Sequence, residues 1–188
     1  MKKFLITVFL LSSILPTYAS GGTIVTYVID PEKNAYLHNN KGVEYVKEQC
    51  YYAAIQEFKM AISLNPQKQA TAIYFNNLGK VYMTIGYPEL ALDCFNNAIT
   101  QYSLNFEYYQ NLADCYKKLG QSKSKLQYYR SSTSNPLNKV MTGLLYEQTG
   151  DKKKAIIVLD DFATSEPDLL ITPAVKNYIQ QIVKDLQK

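Results

Sequence analysis

Small, aromatic and polar positions alternate along most of this chain in one pattern that recurs four times. Gly42, Gly79, Ala113 and Gly143 each stand three residues before a tyrosine: Tyr45, Tyr82, Tyr116 and Tyr146. Alanine follows at Ala54, Ala91 and Ala155, and a large apolar residue at Phe58, Phe95, Tyr129 and Leu159. The apolar spacing of three and four predicts helices throughout. These cover about 31–48, 51–64, 71–85, 88–102, 105–119, 122–132, 136–149, 152–165 and 173–186. In the last, Val175, Tyr178, Ile179, Ile182, Val183 and Leu186 form one apolar stripe.

In a 34-residue frame with Gly42 at position 8, the tyrosine falls at 11, the alanine at 20 and the large residue at 24. Small residues at 8 and 20 let two antiparallel helices approach, and large ones at 11 and 24 fill the space beside them. Gly86, Gly120 and Gly150 fall at 15 and end the first helix of each pair. Pro66 and Pro167 fall near 32 and stop the second. Every glycine beyond Gly22 sits at 8 or 15, so none is left for a phosphate loop. Asp30-Pro31 reads as a helix cap and first turn, and Ser122 and Asp151 as further caps.

Some positions depart from the frame. Repeat 1 has Lys41 at 7 and Gln49 at 15. Repeat 3 has Lys125 at 20 and Ser132 at 27, which predicts a loosely packed second helix. The repeats start at 35, 72, 106 and 136. The first interval predicts a longer turn around Gln67–Thr71. The last lacks about one helical turn near Ser131–Pro136 and should alter the superhelix locally.

Four registered copies of this pattern closely resemble the tetratricopeptide repeat family. The resemblance implies an all-α, right-handed superhelical solenoid of four helix hairpins plus a C-terminal capping helix. The segments are then 35–68, 72–105, 106–135 and 136–169 for the repeats, 170–188 for the cap and 20–34 for an N-terminal extension.

Residues 1–19 read as an export signal. Lys2 and Lys3 precede the mostly apolar stretch Phe4–Leu15, and Thr17-Tyr18-Ala19 is a small-x-small cleavage site. This predicts a periplasmic or extracellular protein, and membrane association only if the signal is retained. The β-branched run Thr23–Ile29 is a tether or an extended strand. Cleavage removes two lysines and half of the formal charge of +4. The remainder is too weak to suggest nucleic acid. Lys152-Lys153-Lys154 reads as a solvated helix face.

The residues offer little to catalysis. His38 is the single histidine, without partners at metal-ligand or relay spacing. Cys50, Cys94 and Cys115 form no C-x-x-C. Cys94 and Cys115 fall on adjacent helices, either as a disulfide or as two small buried hydrophobes. Most of the seventeen tyrosines occupy packing positions, and Tyr36 is the one that looks free for a ligand. No enzymatic activity, metal or cofactor is expected.

The resemblance further implies a concave groove lined by positions 2, 5, 9, 12 and 13 of each first helix, which takes a protein or peptide segment. Asn39, Asn76, Lys80, Gln110, Asp114 and Lys117 are then the partner-binding candidates. Leu137, Val140 and Leu144 make the C-terminal end of the groove apolar. The family's carboxylate clamp needs Lys at 5 and Asn at 9 of the first repeat, where this chain has Asn39 and Val43. The expected function is an exported, non-catalytic adaptor. A membrane-anchored assembly subunit with an uncleaved signal is the alternative, and a small enzyme or ligand-binding protein is a third class.

Overall fold

The computed structural model describes residues 30–64, 68–132 and 134–187. The export signal, the run Thr23–Ile29 and Pro66 lie outside the described residues. Nine helices fill the described chain: α1 (Pro31–Lys47), α2 (Tyr51–Leu64), α3 (Lys68–Thr84), α4 (Pro88–Gln101), α5 (Phe106–Lys118), α6 (Ser122–Ser131), α7 (Leu137–Gln148), α8 (Lys152–Ser165) and α9 (Thr172–Leu186). The all-α solenoid of hairpins is the architecture expected. Asp30, Asn105 and Asp151 cap α1, α5 and α8 by accepting from the backbone amides of Lys33, Glu107 and Lys154.

Two expectations at the helix starts need correction. α3 begins at Lys68, so residues 68–71 extend a helix where a longer turn was expected. That stretch contains neither glycine nor proline to interrupt it. Ser122 is the first residue of α6 rather than its cap. Its hydroxyl instead donates to Gln148 Oε1 on α7 at 3.2 Å.

The pattern's small and large positions meet inside three hairpins. A Cβ added at Gly42 would lie 2.7 Å from Cε1 of Phe58, and one at Gly143 2.4 Å from Cγ of Leu159. Ala54, Ala91 and Ala155 are fully buried at the facing small position. Each hairpin stacks on the next, and stability of such an array is close to a sum over hairpins and their interfaces.

The third hairpin is different. Ala113 replaces glycine at the close contact, Lys125 stands at the small position, and α6 has 10 residues against 14 in α2, α4 and α8. α6 buries none of its residues, as its sequence suggested. After α4, α5 packs on α7 more than on its own hairpin partner α6. The missing turn lets the fourth hairpin close in on α5.

α9 packs on α8 and reaches across to α5, where the Tyr178 and Phe106 rings stand 5.2 Å apart. Its buried residues Val175 and Ile182 join one apolar cluster with Leu137, Val140 and Leu144 of α7.

Candidate partner-binding groove

The first helices α1, α3, α5 and α7 stand side by side and are bonded through polar side chains. Asn77 Nδ2 donates to Asn39 Oδ1 at 2.9 Å. One repeat later, Asn111 Nδ2 donates to Asn76 Oδ1 at 2.8 Å. The rule is one rung from position 6 to position 5 of the preceding repeat. Met141 occupies position 6 of the fourth repeat and has no such donor, so the ladder stops. The α5–α7 interface uses another pair, with Gln148 Nε2 donating to Asp114 Oδ1 at 3.0 Å.

These rungs redefine the predicted site residues. Asn39 and Asn76 are buried, with 8% and 3% of their surface exposed. Their amide oxygens already accept from the next repeat, so they join helices rather than present a free amide. Asn76 also donates to Glu107 Oε1 at 3.3 Å, and Lys80 Nζ reaches the same oxygen at 2.9 Å. Burial raises the Glu107 carboxyl, but the hydrogen bonds from Lys80 and Asn76 outweigh it and hold it below its ordinary range. Lys80 and Lys117 are exposed, and Gln110 is half-buried. The structure thus brings Asn76 and Lys80 together around Glu107. Gln110 and Asp114 instead border a separate gap against α9.

Position 2 shows how the groove divides. Tyr36 is 58% and Ile73 44% exposed, whereas Leu137 is 8% exposed. Val140 and Leu144 are likewise buried. The apolar end of the groove is therefore covered, with α5 packed along α7 and Tyr178 of α9 beside Leu144. The N-terminal half is open. Between α1 and α3 lies a cavity of about 210 Å³ lined by Val43, Val46, Asn77, Lys80, Val81 and Thr84, with Phe58 also on its wall. Sequence reasoning assigned Val43, Val46, Lys80 and Thr84 to the groove but did not select the two valines as binding residues. Their apolar character in a solvent-facing row was the available signal.

Other candidate chemistry resolves into structure. His38 Nδ1 donates to Glu57 Oε2 at 2.6 Å, and Lys41 Nζ lies 2.9 Å from Glu57 Oε1. Lys41, irregular in the frame, thus ties α1 to α2. Cys94 and Cys115 are buried free thiols. Burial pushes them up to about 12 and about 11. Cys115 Sγ donates to the Pro88 carbonyl at 3.0 Å. Tyr36 is not alone in being accessible: Tyr52, Tyr87 and Tyr128 are also exposed, because each lies on a second helix or the turn leading into one. Among the described residues no helix is long and apolar enough to cross a membrane.

The tetratricopeptide repeat family matches at residues 72–102 and 106–135. No curated protein sequence matches significantly. Among solved structures, a tetratricopeptide repeat protein from Parabacteroides merdae aligns with a TM-score of 0.51 and 18% identity, over 81% of this chain and 61% of that one. MamA protein aligns with a TM-score of 0.49 and 18% identity, over 82% and 89%. PilF of Pseudomonas aeruginosa aligns with a TM-score of 0.49 and 20% identity, over 77% and 67%. The matched region is α3–α6, and the contacts of Gly42 with Phe58 and Gly143 with Leu159 repeat its packing in the hairpins on either side. By sequence match, residues 72–102 and 106–135 are tetratricopeptide repeats, and the hairpins on either side share their fold.

Proposed function

We propose that this repeat protein is an exported, non-catalytic adaptor that holds a segment of a partner protein in the open groove of repeats 1 and 2. The cavity between α1 and α3 carries this reading. Val43, Val46 and Val81 offer an apolar socket for one bulky side chain. Lys80 and Thr84 at its border supply polar contacts to the segment's backbone. Tyr36 and Ile73 extend the apolar surface along the same face. The match of the central repeats to an interaction-scaffold family supports the same conclusion, and the N-terminal sequence supports export.

Site-specific photocrosslinking tests it. A crosslinker at Val46 should give a defined adduct in the native envelope, and one at Ile157 on α8, 65% exposed, should not. Equal adducts from both positions, or none from Val46, would move the binding surface elsewhere. The intact mass of the exported protein decides its attachment. Loss of residues 1–19 indicates the free adaptor, and their retention indicates a membrane-tethered subunit.

A further inference from the structure

The interval that shortens repeat 3 leaves a hole among α6, α7 and α8. Ser132 stands at position 27, where Ala61 and Ala98 are fully buried in the first two repeats. α6 ends at Ser131, so no further turn of helix fills the space in front of α7 and α8. What remains is a cavity of about 260 Å³. Tyr129, Tyr146 and Val158 give it apolar walls, and Arg130, Ser132 and Lys139 give it polar ones. Lys139 and Tyr146 hold positions 4 and 11 of the fourth repeat, which are not groove positions. The charges on its lining do not cancel. Lys139 Nζ is 2.7 Å from Asp161 Oδ2, so those two offset each other. Arg130 is exposed and enters none of the ion pairs among the described residues. Its guanidinium carbon stands 5.8 Å from the centre of the Tyr146 ring. Lys154 Nζ lies 5.7 Å from the same ring but is held by Asp151 at 2.6 Å. Ser132 Oγ accepts from Asn138 Nδ2 at 3.0 Å, which leaves its own O–H to donate. The cavity thus sets an unspent cation and a hydroxyl donor beside two aromatic rings.

We propose that this cavity is a binding site for a small aromatic carboxylate, whose ring lies against Tyr129 and Tyr146 and whose carboxylate meets Arg130. The planar guanidinium offers two parallel donors that match the two oxygens of a carboxylate. A cationic ligand of the same size is repelled by Arg130, and a neutral one leaves the guanidinium unused. The volume is below the range of about 300–1,000 Å³ usual for larger ligands, so the space suits a single ring rather than a peptide segment. The ligand also acts on the fold. Tyr129 and Arg130 lie near the end of α6, and the rest of the lining belongs to the turn that follows, α7 and α8. A molecule seated there ties α6 to the fourth hairpin, and a ligand that binds only the closed form stabilises it by mass action. This site is separate from the cavity at Val46, so either assignment can fail without the other.

The test titrates the full chain at low salt with phenylacetate, and with benzyl alcohol as its uncharged counterpart, followed by nuclear magnetic resonance. Phenylacetate should give saturable shifts at Tyr129, Tyr146 and Val158, and it should bind about tenfold more tightly than benzyl alcohol. Arg130→Gln should remove that preference while leaving the helical circular dichroism unchanged, since Arg130 is exposed. Hydrogen exchange of the α6 amides should slow when phenylacetate is added to the parent and stay as it was in Arg130→Gln. Equal affinity for the two ligands overturns the proposal, as does a phenylacetate affinity that Arg130→Gln leaves untouched. Absence of any saturable shift up to about 10 mM also overturns it, and the cavity is then a packing gap that holds water. The comparison of the two ligands is made on the parent chain, so it decides the matter even if the variant does not fold.

Discussion

Gly79 lies directly against the ring of Phe95: a Cβ added to the glycine would stand 2.6 Å from Cε1 and 2.9 Å from Cδ1. Phe95 is 1% exposed and cannot turn away into solvent. Gly79→Leu should therefore overpack the second hairpin and cost about 2–4 kcal/mol, seen as a lower midpoint in urea. A midpoint equal to the parent's would show that the ring has room to yield.

Gln49 stands at position 15 with φ of 61°, in the left-handed region that Gly86, Gly120 and Gly150 occupy in the other repeats. A side chain there costs about 1 kcal/mol, which glycine avoids. Gln49→Gly should stabilise the first hairpin by up to about 1 kcal/mol, against glycine's larger entropy in the unfolded chain. Thermal melts of the two proteins compare them. Gln49 is exposed, so its side chain gives up no buried packing.

The asparagine ladder predicts a stability cost at positions that the sequence marks as binding candidates. Asn76→Ala removes the acceptor for Asn111 and a donor to Glu107. It should destabilise the chain by about 1–3 kcal/mol. An unchanged denaturation midpoint would mean that water replaces the lost partners at little cost.

Glu57 gives the chain a pH-dependent fastening. Hydrogen bonds from His38 and Lys41 hold its carboxyl below the ordinary range, and burial opposes them only in part. A carboxyl depressed in the folded state adds stability above its unfolded value, and the gain disappears as pH falls through the folded one. Glu57→Gln should cost about 1–2 kcal/mol at neutral pH and close to nothing once the parent's carboxyl is protonated. Denaturation of both proteins from pH 7 down to about 3 measures the convergence. A constant difference across that range would assign the effect to packing alone.

The hairpin architecture was legible because its geometry demands particular residue sizes at fixed places. Gly42, Gly79 and Gly143 are where bulk is impossible, and Phe58, Phe95 and Leu159 are what makes it so. The weak third hairpin was legible for the same reason, through Lys125 and the short interval before Pro136. The groove was less readable. Asn39 and Asn76 look like binding amides in a single strand of text. Their partners lie 38 and 35 residues away, and no local spacing signals the pairing. The cover over repeat 4 was half visible. The stripe on residues 173–186 announced a packed helix but did not reveal that it crosses back to Phe106. That crossing depends on the closure between α5 and α7, a property of three-dimensional curvature.

The loose contact between α5 and α6 also bears on how the array opens. In a regular solenoid every unit leans equally on its two neighbours, so each hairpin is held about as firmly as the next. Here α6 packs on α7 and only slightly on α5, its own hairpin partner, and buries none of its residues fully. Its amides should exchange with solvent through a local opening that leaves both flanks folded. The cooperativity of the chain is thus uneven along its length. Its weakest element lies in the middle of the array, rather than at the frayed ends where repeat proteins ordinarily begin to come apart.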